Sequence, residues 1–151
     1  MTSSTTGSAR PIRLAYITTI AATQLAFLRG QNHFLSERGF ELHAIASPGP
    51  DLARLSARDG VVAHGVPIAR RVAPLQDLRS LWRLVWLLRR LRLDIVHVST
   101  PKAALLGAIA AWAARVPVRV FLVRGLITEP ASGRRRALFR RLEGLTSRLC
   151  Q

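Results

Sequence analysis

Cysteine, lysine and acidic residues are scarce in this sequence. Cys150 is the only cysteine, so no disulfide can form within the chain and nothing favours an oxidising compartment. Lys102 is the only lysine, and 8 acidic residues stand against 23 basic ones, which gives a formal net charge of +15. This charge favours an anionic partner, although a coding bias towards arginine would produce the same composition.

The sequence also has no long hydrophobic run. The longest one, over residues 103–114, is shorter than the roughly 20 residues that cross a bilayer. Residues 1–10 are rich in serine and threonine and have no apolar core, so we predict a disordered tail there rather than a signal peptide. We expect a cytoplasmic protein that can rest on the inner face of the cytoplasmic membrane.

Short apolar runs alternate with helix-like segments along the rest of the chain. The first run, over residues 12–18, has little polar alternation, as is typical of a strand that helices cover on both faces. The predicted strands are residues 12–18, 40–46, 61–68, 95–98 and 118–123. The predicted helices are residues 23–38, 51–59, 75–93, 101–115 and 134–149. The pattern predicts an α/β domain over residues 11–151 with a Rossmann-like, doubly wound parallel sheet of order 3-2-1-4-5.

Polar residues follow the two strands between which this order reverses. Thr18 and Thr19 end the first strand, and Thr100 follows the fourth. Ligands of open α/β sheets bind at such a point, and hydroxyl groups suit sugar hydroxyls or phosphate oxygens. The helix that begins at Pro101 offers free N–H groups to an anion, and Lys102 would add a full charge. The alternative is that Thr100 only caps this helix and Lys102 is solvated.

A third turn would flank this cleft. Arg124 and Gly125 follow the fifth predicted strand, and the arginine would bring a further positive charge to the same end of the sheet. We therefore include both residues among the candidates for binding a sugar or a phosphate.

Other ligand motifs are missing. No G-x-G-x-x-G follows the first strand and no G-x-x-x-x-G-K-[ST] occurs, so neither a dinucleotide site nor a P-loop is expected. The histidines are scattered without metal-ligand spacing, so no metal is expected. Asp94 and Glu129 are the nearest acids and do not form a convincing acid–base pair, so no catalytic residue is assigned.

Two groups of arginines lie on predicted helices. They are Arg79, Arg83 and Arg90 on one stripe of the helix over 75–93, and Arg134, Arg135, Arg136, Arg140 and Arg141 on the final helix. Both could attract an anionic membrane surface, or simply form a solvated charged surface. Nucleic-acid binding would need exposed aromatic residues among the arginines. Trp82, Trp86 and Trp112 lie in apolar helical segments, where we expect core packing, so nucleic acid is not predicted as a partner.

Several stretches together resemble a known family. They are residues 13–19, 38–45, 94–97, 100–107 and 116–119, which leads into 124–126. Their order and spacing resemble the N-terminal domain of a retaining, family-4 bacterial glycosyltransferase of the GT-B fold, the type that assembles polysaccharides and lipid-linked glycans. The resemblance covers residues 12–149.

The resemblance implies two Rossmann-like domains that face each other across a cleft. The N-terminal domain would bind the acceptor, a glycan or an isoprenoid-phosphate-linked saccharide, and the C-terminal domain would bind a nucleotide-sugar donor without a metal or other cofactor. Thr18, Thr19, Thr100 and Lys102 would line the acceptor side, and Arg124 would lie near the transferred sugar or its phosphate. The donor domain is not in this sequence, so we expect no activity from the chain alone.

Two alternatives remain open. The chain could be a non-catalytic basic α/β module that binds a glycolipid, a membrane surface or a partner protein. It could also be a half-enzyme that a separately encoded donor domain completes. The glycosyltransferase interpretation differs from the first of these because it requires a second Rossmann-like domain.

Overall fold

In the described part of the chain, five strands form one parallel sheet between two layers of helices. The structure is a computed structural model that describes residues 10–71, 73–123 and 133–150. The strands are β1 (Ile12–Ile17), β2 (Phe40–Ala46), β3 (Val62–Gly65), β4 (Ile95–Val98) and β5 (Val118–Phe121). The helices are α1 (Ala21–Phe27), α2 (Arg29–Ser36), α3 (Pro50–Asp59), α4 (Pro74–Leu91), α5 (Pro101–Ala113) and α6 (Gly133–Leu149). The strand order β3-β2-β1-β4-β5 confirms the predicted sheet, with the reversal between β1 and β4.

Some predictions fall outside the described residues. They concern the N-terminal tail, Arg124 and Gly125, and the side chains of Arg134, Arg135 and Arg136. Of the tail, only residue 10 is described. The disordered tail and the roles of these residues remain predictions.

Alternate residues of β1 lie on opposite faces of the sheet and belong to two separate cores. Ala15 and Ile17 pack with residues of α4 and α5. Leu14 and Tyr16 pack on the other face with residues of α1 and α3. Helix α6 packs against α5 and β5, so α4, α5 and α6 share one layer. No helix among the described residues combines the length and the hydrophobicity that a bilayer crossing requires.

Small residues let α5 lie directly on the sheet. Its buried positions are mostly alanines, and a Cβ at Gly107 would lie 2.8 Å from Cγ1 of Val98 and 3.2 Å from Cδ1 of Ile17. Close packing of this helix on β4 and β1 fixes the position of its first turn, which begins where the strand order reverses.

The predicted helix over residues 23–38 is divided in two. Leu28 separates α1 from α2, with φ −110° and ψ 7°, and is itself buried. The division turns α2 so that the buried Asn32 donates through Nδ2 to Asp59 of α3 at 2.7 Å. A hydrogen bond to a residue 27 positions away leaves no periodic signal in the sequence.

The prediction that the tryptophans pack in the core is wrong. Trp82, Trp86 and Trp112 are exposed to 70%, 58% and 60%. Helix α4 is apolar on most of its circumference, but Leu84 and Leu88 occupy its fully buried stripe. Since a helix presents only one stripe to a sheet, Trp82 and Trp86 on the other side of α4 face solvent.

Candidate functional site

Thr19 and Thr100 meet where the strand order reverses. β1 and β4 are neighbours in register, with Ile17 opposite Val98, so the turns after them lie side by side. The Thr19 backbone N–H donates to Oγ1 of Thr100 at 3.0 Å, and the two hydroxyl oxygens are 2.9 Å apart. The predicted contact between these turns is therefore present.

Thr100 occupies the N-cap position of α5 but does not cap it. Its backbone has φ 68° and ψ 131°, an unusual conformation for a β-branched residue, and its side chain makes no capping hydrogen bond. The hydroxyl bridges to Thr19 instead. Strained residues of this kind occur most often at binding and catalytic sites, where surrounding contacts hold them.

Thr18 lies behind Thr19 and is buried. Its hydroxyl donates to the carbonyl of Ile20 at 2.9 Å and accepts from Nε2 of Gln24 at 2.9 Å. Gln24 is itself buried, and its Nε2 also lies 3.2 Å from the carbonyl oxygen of Ile45 in β2. Of the predicted acceptor residues, Thr19, Thr100 and Lys102 line the same cleft. Thr18 lies behind them, where its hydrogen bonds hold the turn after β1 in place. Gln24 was missed, although a glutamine within an apolar helix directly after a strand could have indicated it.

Lys102 is not solvated. Its Nζ lies 2.6 Å from Oδ1 of Asp77 in the first turn of α4, and it also donates to the backbone carbonyl of Arg71. Less than a fifth of either charged side chain is exposed. An anionic ligand that uses Lys102 would therefore replace Asp77 as its partner.

These residues line a cleft of about 910 Å³. Its polar and charged lining residues are Thr19, Thr23, Arg70, Arg71, Asp77, Thr100, Lys102, Glu143 and Thr146. Its apolar lining residues are Ile20, Phe27, Pro101, Leu105, Phe121, Leu122, Val123 and Leu142. The volume falls in the range of small-molecule sites. A cleft with both kinds of lining residue suits a ligand that has polar and apolar parts.

Asp94 lies at the other end of the sheet. It precedes β4, where it accepts two hydrogen bonds from Arg10, at 2.6 and 2.9 Å, and one from the backbone N–H of Arg13 at 2.9 Å. The Arg10 hydrogen bonds, followed by the one from Arg13, lower the pKa of this carboxyl group. Its role is structural. Glu129 lies outside the described residues.

His97 packs beside a residue of the neighbouring strand β1. Its ring centroid lies 5.1 Å from that of Tyr16, its register partner in β1. In the described ranges, no three or more histidine, cysteine, aspartate or glutamate residues are grouped so as to hold a metal ion. That no metal takes part stays a prediction.

The predicted membrane-facing arginines that the structure describes are exposed. Arg79, Arg83 and Arg90 lie on α4, and Arg140 and Arg141 lie on α6. Because α5 lies between these helices, the two groups are separated on one layer.

Comparison with known proteins gives the family. Residues 26–149 match the glycosyl transferase 4-like domain. A Staphylococcus aureus capsular polysaccharide biosynthesis glycosyltransferase, CapM, is 33% identical over 121 residues, which cover 80% of this chain and 31% of the relative. An Escherichia coli UDP-Gal:α-D-GlcNAc-diphosphoundecaprenol α-1,3-galactosyltransferase is 40% identical over 72 residues, which cover 47% of this chain and 19% of the relative.

The fold is also similar to that of a solved structure. The crystal structure of Acinetobacter baumannii MurG superposes with a TM-score of 0.62 at 15% sequence identity, covering 87% of this chain and 40% of that one. At this identity the likeness concerns the fold alone. The matched domain takes in most of the chain, and the described sheet has the predicted Rossmann-like order. The chain therefore belongs to the glycosyl transferase 4-like family, as its sequence motifs predicted.

Proposed function

We propose that this chain is the acceptor-binding half of a glycosyltransferase that moves a sugar from a nucleotide-sugar donor to a glycan or lipid-linked saccharide in cell-surface polysaccharide synthesis. The observation that carries the proposal is the cleft at the β1–β4 reversal, which the paired Thr19 and Thr100 and the charged Lys102 line together. Hydroxyls bind sugar hydroxyls, and an ammonium group binds phosphate.

The mixed polar and apolar lining of the cleft supports a phosphate-linked, lipid-borne acceptor. The phosphate would accept from Lys102 and from the N–H groups of the first turn of α5, which no side chain caps. Apolar lining residues such as Phe27 and Leu105 would contact the first isoprenoid units. The Escherichia coli relative is named for such an acceptor, an N-acetylglucosamine diphosphate lipid.

The donor would be bound elsewhere. The chain spans about a third of the length of CapM and less of the galactosyltransferase, so donor binding is proposed for a second Rossmann-like domain. Arg124 and Gly125 are proposed to contact the transferred sugar or its phosphate. No metal or other cofactor is proposed, and a membrane-borne acceptor would place the protein at the inner face of the cytoplasmic membrane.

Acceptor binding can be tested on the chain itself. The probe is N-acetylglucosamine diphosphate on a short, water-soluble prenyl chain, and its affinity is measured by isothermal titration calorimetry. We expect Thr100→Ala and Lys102→Ala each to weaken binding roughly tenfold, since each removes a hydrogen bond or a charge contact to the ligand. Ser36→Ala removes an exposed hydroxyl on α2, remote from the cleft, and is the control.

Transfer is tested in a two-domain protein that contains this chain. The same two substitutions should lower the transfer rate at limiting acceptor. Wild-type affinity and rate in both variants would refute the assignment of the cleft. Binding of the probe without transfer would favour the alternative, a non-catalytic module that binds a glycolipid.

A further inference from the structure

Glu143 is a carboxylate in the cleft that lacks a partner among the described residues. It lies on α6, and within the described part of the chain no basic side chain forms an ion pair with it and no group donates a hydrogen bond to it. Every other acid that the structure describes lies within 3.6 Å of a basic side chain, namely Glu37, Glu41, Asp51, Asp59, Asp77 and Asp94. In a chain with 23 basic and 8 acidic residues, an unpaired carboxylate is the exception.

Neighbouring residues of α6 do not engage Glu143. Arg140 stands three positions earlier, a spacing at which side chains can meet on a helix, but the two form no ion pair. Thr146 also lines the cleft, and its hydroxyl donates to the carbonyl of Leu142 at 2.9 Å. Since Thr146 is engaged within its own helix, Glu143 is the polar side chain with which α6 can contact a ligand.

The other charged lining residues of the described chain are positive or already paired. Arg70, Arg71 and Lys102 carry positive charge, and Asp77 is bound to Lys102. These cations attract a phosphate and repel a cationic ligand group, whereas the carboxylate of Glu143 repels a phosphate. An unpaired carboxylate in a cleft with this lining therefore suits a neutral group that donates hydrogen bonds.

We propose that Glu143 recognises the saccharide of the acceptor by accepting hydrogen bonds from its hydroxyl groups, and that it favours neutral sugars over uronic acids. An ionised carboxylate only accepts hydrogen bonds, and its two oxygens can receive two neighbouring hydroxyls. Such charge-assisted hydrogen bonds are about twice as strong as neutral ones. A uronic acid would bring a second negative charge towards Glu143 and be repelled. The inference rests on the proposed function, to which it adds a residue that selects the sugar.

Calorimetric titration of the chain with three probes tests the proposal. The first is the water-soluble N-acetylglucosamine diphosphate probe, the second is the same prenyl diphosphate without a sugar, and the third carries the uronic acid in which the primary alcohol of the sugar is a carboxylate. We expect Glu143→Gln to weaken binding of the first probe roughly fivefold to tenfold, because it removes the charge from the hydrogen bonds to the sugar. The affinity for the sugar-free probe should not fall. The affinity for the uronic acid probe should rise roughly threefold, because the repulsion is gone.

The matched control is Glu37→Gln. Glu37 is an exposed glutamate at the end of α2, outside the cleft lining, and its substitution removes the same charge from the chain. It should leave all three affinities unchanged. The opposite responses to the neutral sugar and to the uronic acid also separate recognition from a structural role, since a Glu143 that only stabilised α6 would alter the three affinities in the same direction.

Two outcomes would overturn the inference while the proposed function stands. They are full affinity of Glu143→Gln for the neutral sugar probe, and an equal change of all three affinities in that variant, in each case with binding that Lys102→Ala still weakens. Failure of the proposed function has a different signature. In that case the unaltered chain would bind none of the three probes, or Lys102→Ala would bind the sugar-free probe as the unaltered chain does.

Discussion

Oδ1 of Asp77 lies 2.6 Å from Nζ of Lys102 and joins the first turn of α4 to the first turn of α5. The two residues are 25 positions apart in the sequence, and both line the cleft. The contact engages the ammonium group that the proposed acceptor phosphate would use. A phosphate would have to displace Asp77, so the contact would oppose phosphate binding.

Asp77→Asn should strengthen binding of the acceptor probe. The substitution removes the carboxylate that competes for Lys102, and we expect an affinity gain of roughly threefold to tenfold with a loss of about 1 kcal/mol in the free energy of unfolding. Calorimetric titration and urea denaturation measure the two effects. Asp51→Asn is the control, because Asp51 is also an acid in the first turn of a helix but lies remote from the cleft. Unchanged affinity in Asp77→Asn would contradict the competition.

Thr100→Gly should be more stable than Thr100→Ala. Both variants lose the hydroxyl that binds Thr19, but only glycine adopts φ 68° without strain. We expect a difference of about 1 kcal/mol in the free energy of unfolding, whereas glycine at an unstrained site is the less stable of the two. Urea denaturation of the pair gives the answer. Alanine as the more stable variant would show that the residue at this position is not strained.

Gly107→Ala should destabilise the fold although alanine is the better helix former. The added methyl group would lie 2.8 Å from Cγ1 of Val98, a branched side chain held between α5 and the sheet. We expect a net loss of about 1 kcal/mol, since overpacking outweighs the gain in helix propensity. Gly144→Ala in α6 has no atom within 4 Å of the new Cβ and should instead raise the melting temperature. A higher melting temperature for both variants would contradict the close approach of α5.

The free energy of unfolding should fall on mild acidification. Nδ1 of His43 lies 3.1 Å from Nε2 of His64, and burial lowers the pKa of both rings below the ordinary 6.5. Glu41, with Oε1 3.2 Å from Nε2 of His43, raises the pKa of that ring, while Arg13 lowers it. Because the unfolded chain takes up protons first, stability is complete above pH 6.5 and is lost as the pH falls below that value towards the folded pKa values.

The measurement is urea denaturation from about pH 8 to about pH 5. His64→Gln should flatten the decline, because it removes one of the two lowered groups. His33→Gln, which alters an exposed histidine on α2, should leave the decline as it is. Equal slopes in all three proteins would show that the histidine contact does not govern stability in this range.

The sheet could be predicted because its causes are local. Each strand is a short apolar run, each connection is long enough for a helix, and such units build a parallel sheet with few possible orders. This order of strands predicts that the turn with Thr19 lies beside the turn with Thr100. The choice between Thr18 and Thr19 could not be made, because the direction of each side chain depends on the path of the turn after β1.

The packing of helix α4 could not be predicted from the pattern of its sequence. Its sequence is apolar on most sides, so periodicity did not tell which stripe faces the sheet, and the tryptophans were assigned to the core. The pairing of Asp77 with Lys102 was also missed. Contacts between distant helices depend on how those helices are placed on the sheet, and one sequence does not encode that placement locally.

The chain has a single lysine side chain that an acylating reagent can modify. Lys102 is its only lysine, and the ammonium is held against Asp77 at the floor of the cleft. A reagent that acylates amines would thus modify one side chain, that of Lys102, besides the α-amino group of the chain, and peptide mapping would separate the two. The reaction at Lys102 would be slow while the ion pair is closed. In Asp77→Asn, Lys102 would be labelled faster. A bound acceptor would shield the Lys102 ammonium from the reagent. The extent of labelling at Lys102 would therefore measure how much of the cleft is occupied.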